Sequence, residues 1–273
     1  MSVRPAEAEA LAAGLPRLLL AAERLAHAAS PGAHGRRRAG GGENFWQFRE
    51  FRNGDDTRRI DWRRSAGSDR LFLREREWQA QATLQLKPHD HPGMDFRSAG
   101  TLPTKRERAV LLLLATASLL LRSGERVALA GATPPLGGAG ALPEIAAALL
   151  RGGQAPVDPP VNPKARMVAF GDFLEPAPVF RHAPGGAVVQ ILDPAECDFP
   201  YRGRVVFEGW SGEPPVEAAQ AESWATAYRA RIAAQRQAVA EAAARAGQTA
   251  IFHRTDAAPA LALAALYQAL SQP

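Results

Sequence analysis

The chain has 273 residues, 46% of them apolar, and a formal net charge of +5. That length suffices for one large domain or two small ones, and a charged content of 22% excludes a wholly disordered chain. A single cysteine, Cys197, excludes a disulfide framework and a cysteine-based zinc site, and a reduced, cytoplasmic setting is its simplest reading.

Leu11, Leu15, Leu18, Leu19 and Leu25 recur at helical spacing and predict an amphipathic helix over 5–29, stopped by Ser30-Pro31-Gly32. Glu7, Glu9 and Arg17 speak against a signal peptide there. This helix either packs on the main domain or binds a partner. A Gly/Arg/Ala-rich linker follows over 30–42. From 43 to 80, Phe45, Trp46, Phe48, Phe51, Trp62, Phe72 and Trp78 interleave with Arg and Asp. Leu71 to Glu75 reads as a strand start.

Beyond residue 80 the pattern alternates. Strands are predicted at 83–87, 126–130, 167–170, 188–192, 205–207 and 249–253. Helices are predicted at 104–123, 142–150, 223–246 and 259–270. In the long helix, Trp224, Tyr228, Ile232 and Val239 are expected to face inward. The apolar run 109–121 is too short to span a bilayer and suits a buried helix. A peripheral membrane contact stays compatible with this pattern. The alternation predicts an α/β fold: a doubly wound, mostly parallel sheet with helices on both faces. The organisation expected is an N-terminal helix and linker (1–39), an aromatic and Arg-rich segment (40–80) and an α/β domain (81–273).

The basic excess lies within residues 36–76, which hold 12 Arg and 7 acids. The interleaved acids favour pairing inside a folded motif over nucleic-acid binding. Arg58, Arg59, Arg63 and Arg64 can pair with Asp55, Asp56 and Asp61, since the guanidinium fork suits carboxylates. In an extended segment Ile60 and Trp62 would point to one side and Asp61 to the other. His253 reads as a satisfied strand-end histidine. No P-loop, nucleophile elbow or His-Glu-x-x-His pair occurs.

The run from Gly42 through Gly54-Asp55-Asp56, Arg58, Ile60-Asp61-Trp62 and Ser65-Ala66 closely resembles the signature of the bacterial family called domain of unknown function 58. Gly171-Asp172-Phe173-Leu174-Glu175, Leu192-Asp193-Pro194-Ala195-Glu196 and His253-Arg254-Thr255-Asp256 agree with it. The resemblance covers roughly residues 40–270 and is strongest to short, soluble alpha-proteobacterial members. It implies a von Willebrand factor type A-like domain in the second half.

Many such domains hold Mg²⁺ through an Asp-x-Ser-x-Ser loop, a second-loop threonine and a third-loop aspartate. Anchored on Met94 and Phe96, the resemblance puts His89, His91 and Gly93 at the three first-loop positions. Each departure removes an oxygen ligand. Asp172 matches the third-loop acid, while 137–140 offers no threonine. The expectation is a degenerate site with no metal and no cofactor. The alternative is a metal-binding protein or enzyme in which His89 and His91, with Asp172 or Asp95, take Zn²⁺ or Ni²⁺. The resemblance further implies a non-catalytic, protein-binding adaptor. Its expected partners are a MoxR-type AAA+ ATPase and other von Willebrand type A proteins. Arg49, Asp55, Asp56, Arg58, Asp61 and Trp62 are the candidate partner-binding residues.

Overall fold

The computed structural model describes residues 5–29, 45–51, 60, 62–67, 70–76, 83–138, 140–151, 165–174, 180–210 and 213–271. The chain divides into two units, Met1–Ala33 with Thr83–Pro273, and His34–Ala82.

The larger unit is built on five parallel strands: β3 (Thr83–Pro88), β4 (Arg126–Leu129), β5 (Arg166–Gly171), β6 (Gly186–Leu192) and β9 (Gln248–Arg254). Their order is β4-β3-β5-β6-β9, with each adjacent pair parallel. All seven residues of β6 are buried, as expected for a strand covered on both faces. A short antiparallel bridge from Val127 to Leu136 covers the β4 edge. This is the α/β parallel architecture the alternation predicts, consistent with a von Willebrand type A-like fold.

Helix α3 (Lys105–Arg122) is the apolar run of the sequence, and it forms because its ends are well signalled. Thr104 caps the Glu107 N–H, and Glu107 reaches back to the Thr104 N–H, closing a capping box. Leu112, Leu113, Leu114 and Ala115 are fully buried, so the helix is enclosed. The sheet face beneath it contributes Leu84, Leu86, Val168, Phe170, Val189 and Ile191. Helix α1 (Pro5–Ala29) packs against α3, α4 (Ala141–Leu150) and α7 (Pro259–Ser271). Ala22 and Ala26 are fully buried on that contact, so the N-terminal helix is an integral layer of the α/β unit. On the opposite face α6 (Ala225–Arg245) covers Ala169 and Val188 through Val239 and Ala243.

Three departures from the sequence pattern have local causes. Val205–Phe207 (β7) lies outside the main sheet and pairs antiparallel with β8 (Val216–Ala218). Phe207 packs there on Phe199, Tyr201 and Trp224, so an aromatic cluster replaces a sheet position. Trp224 is exposed at the preceding 3₁₀ turn, contrary to the inward orientation expected, whereas Val239 is buried. The short helix α5 (Pro194–Asp198) gave no periodic signal because it is barely one turn.

In the smaller unit, β1 (Phe45–Glu50) pairs antiparallel with β2 (Phe72–Arg76). Ser65, at the end of α2 (Trp62–Ser65), accepts the Phe72 N–H at 2.9 Å. Ile60 is buried while Trp62 opens α2 and is 64% exposed. A helical turn therefore replaces the extended segment that would have placed both on one side.

Candidate functional site

In an open parallel sheet, loops at the carboxyl ends of the strands carry sites. Here β3 delivers His89 and His91, β5 delivers Asp172, and β6 delivers Asp193 and Glu196. Gly171 permits the β3–β5 approach: a Cβ there would lie 2.5 Å from the His89 Cβ. The His89 N–H donates to the Phe170 carbonyl at 2.7 Å, locking the two strand ends together. Phe173, just after Asp172, adopts a left-handed φ of 47°.

Lys105, the first residue of α3, is fully buried among these strand ends. Its ammonium donates to Asp172 Oδ2 at 2.9 Å and to Glu196 Oε1 at 2.5 Å. The Phe96 ring lies 5.8 Å from the same nitrogen. His89 Nδ1 stands 3.4 Å from the other Asp172 oxygen, Oδ1.

Glu196 is held by its second oxygen, which accepts the Asp193 N–H at 2.8 Å. Asp193 returns the favour through Ala195 N–H, so the capping box of α5 aims Glu196 at Lys105. The second Asp193 oxygen accepts the Ser98 N–H at 3.0 Å. Beyond it, Arg254 binds Asp198 with both terminal nitrogens and also pairs with Asp256. The strand ends are thus tied by alternating charges.

The two carboxylates on Lys105 respond differently. Burial alone would raise Asp172, but His89 and the Lys105 ammonium hold it well below the usual carboxylate range. For Glu196 burial wins over Lys105, and the nearby Asp172 charge adds to the upward push. Burial also pushes the Cys197 thiol up, with Asp198 and Glu196 adding to it against Arg254 and Arg236. A raised thiol is a poor nucleophile.

The sequence-predicted residues are placed as follows. His89, Gly93 and Asp172 converge: a Cβ at Gly93 would lie 3.3 Å from Asp172 Oδ2. His91 is beside them, its ring stacked on His89 with centroids 5.8 Å apart and planes 8° apart. Its Nδ1 accepts the Gly93 N–H at 3.1 Å. Asp90 and Asp95 are both engaged by Arg106. Gly137 lies beside Arg126, at the opposite end of the sheet, so it is not at the site. Arg49 is in β1 opposite Leu73, and Trp62 is exposed. Asp55, Asp56, Arg58 and Asp61 lie outside the described residues.

His253 departs from the satisfied histidine expected of it. It is 5% exposed, and its Nε2 has no hydrogen-bond partner among the described residues. Burial, reinforced by the nearby Arg108 charge, lowers its pKa to about 4 despite Asp256. The imidazole is therefore neutral near pH 7.

A family described as "Protein of unknown function DUF58" matches residues 47–241. The chain belongs to the DUF58 family. The matched span holds Lys105, Asp172 and Glu196 of this DUF58 chain, together with β2, α2 and most of β1. No curated protein and no solved structure matches it.

The donor set of the DUF58 chain can be tested against the Mg²⁺ that its von Willebrand type A resemblance implies. Mg²⁺ requires a near-octahedral shell of hard oxygens. The first-loop positions supply two imidazoles and a glycine, and Asp172 is engaged by an ammonium. These residues do not fit Mg²⁺. For a transition metal, the stacked His89 and His91 rings lie on the same side, but His91 Nδ1 is occupied by Gly93. Among the described residues, no three His, Cys, Asp or Glu side chains form a cluster that could hold a metal ion.

Proposed function

We propose that this chain is a non-catalytic protein-binding module that works as an adaptor. The observation that carries the reading is the network of ion pairs that engages the charged side chains at the carboxyl end of the sheet. Lys105 is paired with Asp172 and Glu196, and Arg254 with Asp198 and Asp256. Acid–base catalysis needs a titratable group within reach of a substrate, and here the central cation is fully buried. A rigid, tied surface suits recognition better than turnover.

The resemblance supplies the partners: a MoxR-type AAA+ ATPase and other von Willebrand type A proteins. No described helix is long and apolar enough to cross a membrane, and we place the interaction in the cytoplasm. Exposed Trp62 is the natural anchor, because buried aromatic anchors dominate interface energetics. Arg49, Asp55, Asp56, Arg58 and Asp61 are the further residues that we assign to partner binding.

The test is affinity capture of a purified MoxR-type ATPase by the tagged full-length chain, with ATP and with ADP. Nucleotide-dependent retention that falls at least tenfold with Trp62→Ala is expected. No retention in either nucleotide overturns the adaptor reading. Elemental analysis of the same protein addresses the alternative: one stoichiometric transition metal, lost in His89→Ala/His91→Ala, would favour a metal site on that loop.

A further inference from the structure

We propose that the Lys105 ammonium is a built-in replacement for the divalent cation, so that this site is assembled without metal. Four observations converge on this. The ammonium bonds Asp172, the residue that the resemblance puts at the third-loop acid. Position 93, one of the lost oxygen positions, points at the same Asp172 oxygen. His89, another lost position, faces the remaining Asp172 oxygen at 3.4 Å. Lys105 is fully buried, so its charge serves these carboxylates and no solvent-facing group.

The chemistry of the replacement is coherent. A divalent ion needs several hard ligands arranged around it, whereas an ammonium offers three donors and needs only acceptors. Losing the first-loop oxygens removes the cation's ligands. The two carboxylates left in a buried setting would then repel each other and lack a counter-charge. A lysine at the start of α3 supplies one positive charge between them from inside the chain. Glu196 is the ammonium's second acceptor, at 2.5 Å, and is itself fixed by the Asp193 N–H.

The corollary is that removing the amine uncovers a latent cation site. Asp172 Oδ2 and Glu196 Oε1 lie 2.9 and 2.5 Å from one point, the Lys105 nitrogen. Ca²⁺ binds oxygens at about 2.3–2.6 Å, so small shifts would let it occupy that point. Lys105→Ala leaves room for an ion with its water. Lys105→Met fills the same room with an apolar chain and leaves none. This inference stands apart from the partner reading, because its readout is the ion dependence of folding.

The experiment compares thermal unfolding of the full chain as wild type, Lys105→Ala and Lys105→Met. Each is measured in EDTA and then in Ca²⁺, Mn²⁺ or Mg²⁺ at matched ionic strength. The wild-type Tm is expected to be unmoved by every ion. Lys105→Ala should lose stability in EDTA and regain at least half of the lost Tm in Ca²⁺ or Mn²⁺. Lys105→Met should lose stability and regain nothing. If Lys105→Ala does not fold in EDTA, refolding yield from urea is read instead, and an ion-dependent yield supports the proposal. Three results overturn it: stoichiometric divalent metal on the wild type, equal responses of the two variants, or no ion effect on Lys105→Ala by either readout.

Discussion

Replacing Lys105 by methionine removes one buried positive charge while keeping an unbranched side chain one atom shorter. Two charge-assisted hydrogen bonds disappear, to Asp172 and to Glu196. Packing changes little, because methionine follows the lysine stem. The cost is the uncompensated pair of buried carboxylates. Breaking a buried ion pair by removing one partner costs about 3–5 kcal/mol. At roughly 2–4 °C per kcal/mol for a chain of this size, Tm should fall by about 6–20 °C.

The loss should also depend on pH. Glu196 already has a raised pKa, mainly through burial, and losing Lys105 removes the attraction that opposes it. A carboxyl whose folded pKa exceeds its unfolded value gains stability as pH falls, because the folded state binds the extra proton. The deficit of Lys105→Met should therefore shrink between pH 7.5 and pH 5. Urea unfolding at both pH values measures it, and Lys105→Met/Glu196→Gln should recover part of the loss. A deficit below about 1 kcal/mol, or one equal at both pH values, refutes the reasoning.

Three further outcomes can be checked. His253 has a folded pKa of about 4, below its unfolded value, so its stabilising contribution is complete above pH 6.5 and is lost as pH falls toward 4. The loss approaches about 3 kcal/mol, and His253→Gln should flatten that acid limb in a pH series of urea melts. Gly171→Ala drives a methyl into His89 and should cost about 1–3 kcal/mol, with His89 and Asp172 resonances shifting in NMR spectra. Ala22→Asp puts a charge into the fully buried contact of α1 with the core and should cost about 3 kcal/mol or more. An unchanged Tm would detach α1 from the domain.

Much of the fold is legible in the residues. Thr104 and Ser123 bracket α3 as its caps, because local hydrogen-bond chemistry sets helix ends. The β3, β4, β5, β6 and β9 strands follow from short apolar runs between turn residues. Less legible are β1, β8 and α5. Their stability comes from a hairpin partner, an aromatic cluster and an Asp193 cap, none of which has a periodic signature.

The site divides the same way. The sequence by itself determines the α/β alternation, and it shows His89, His91, Gly93 and Asp172 at the positions that the resemblance assigns to metal ligands. It presents Lys105 as one more charge in a basic helix flank. Only the tertiary structure decides otherwise. Lys105 is 67 residues from Asp172 and 91 from Glu196, and parallel strand ends bring all three to one buried point. Burial is a property of that assembly. The same ammonium that would be solvated on an isolated helix becomes, between two desolvated carboxylates, the charge that holds the site together.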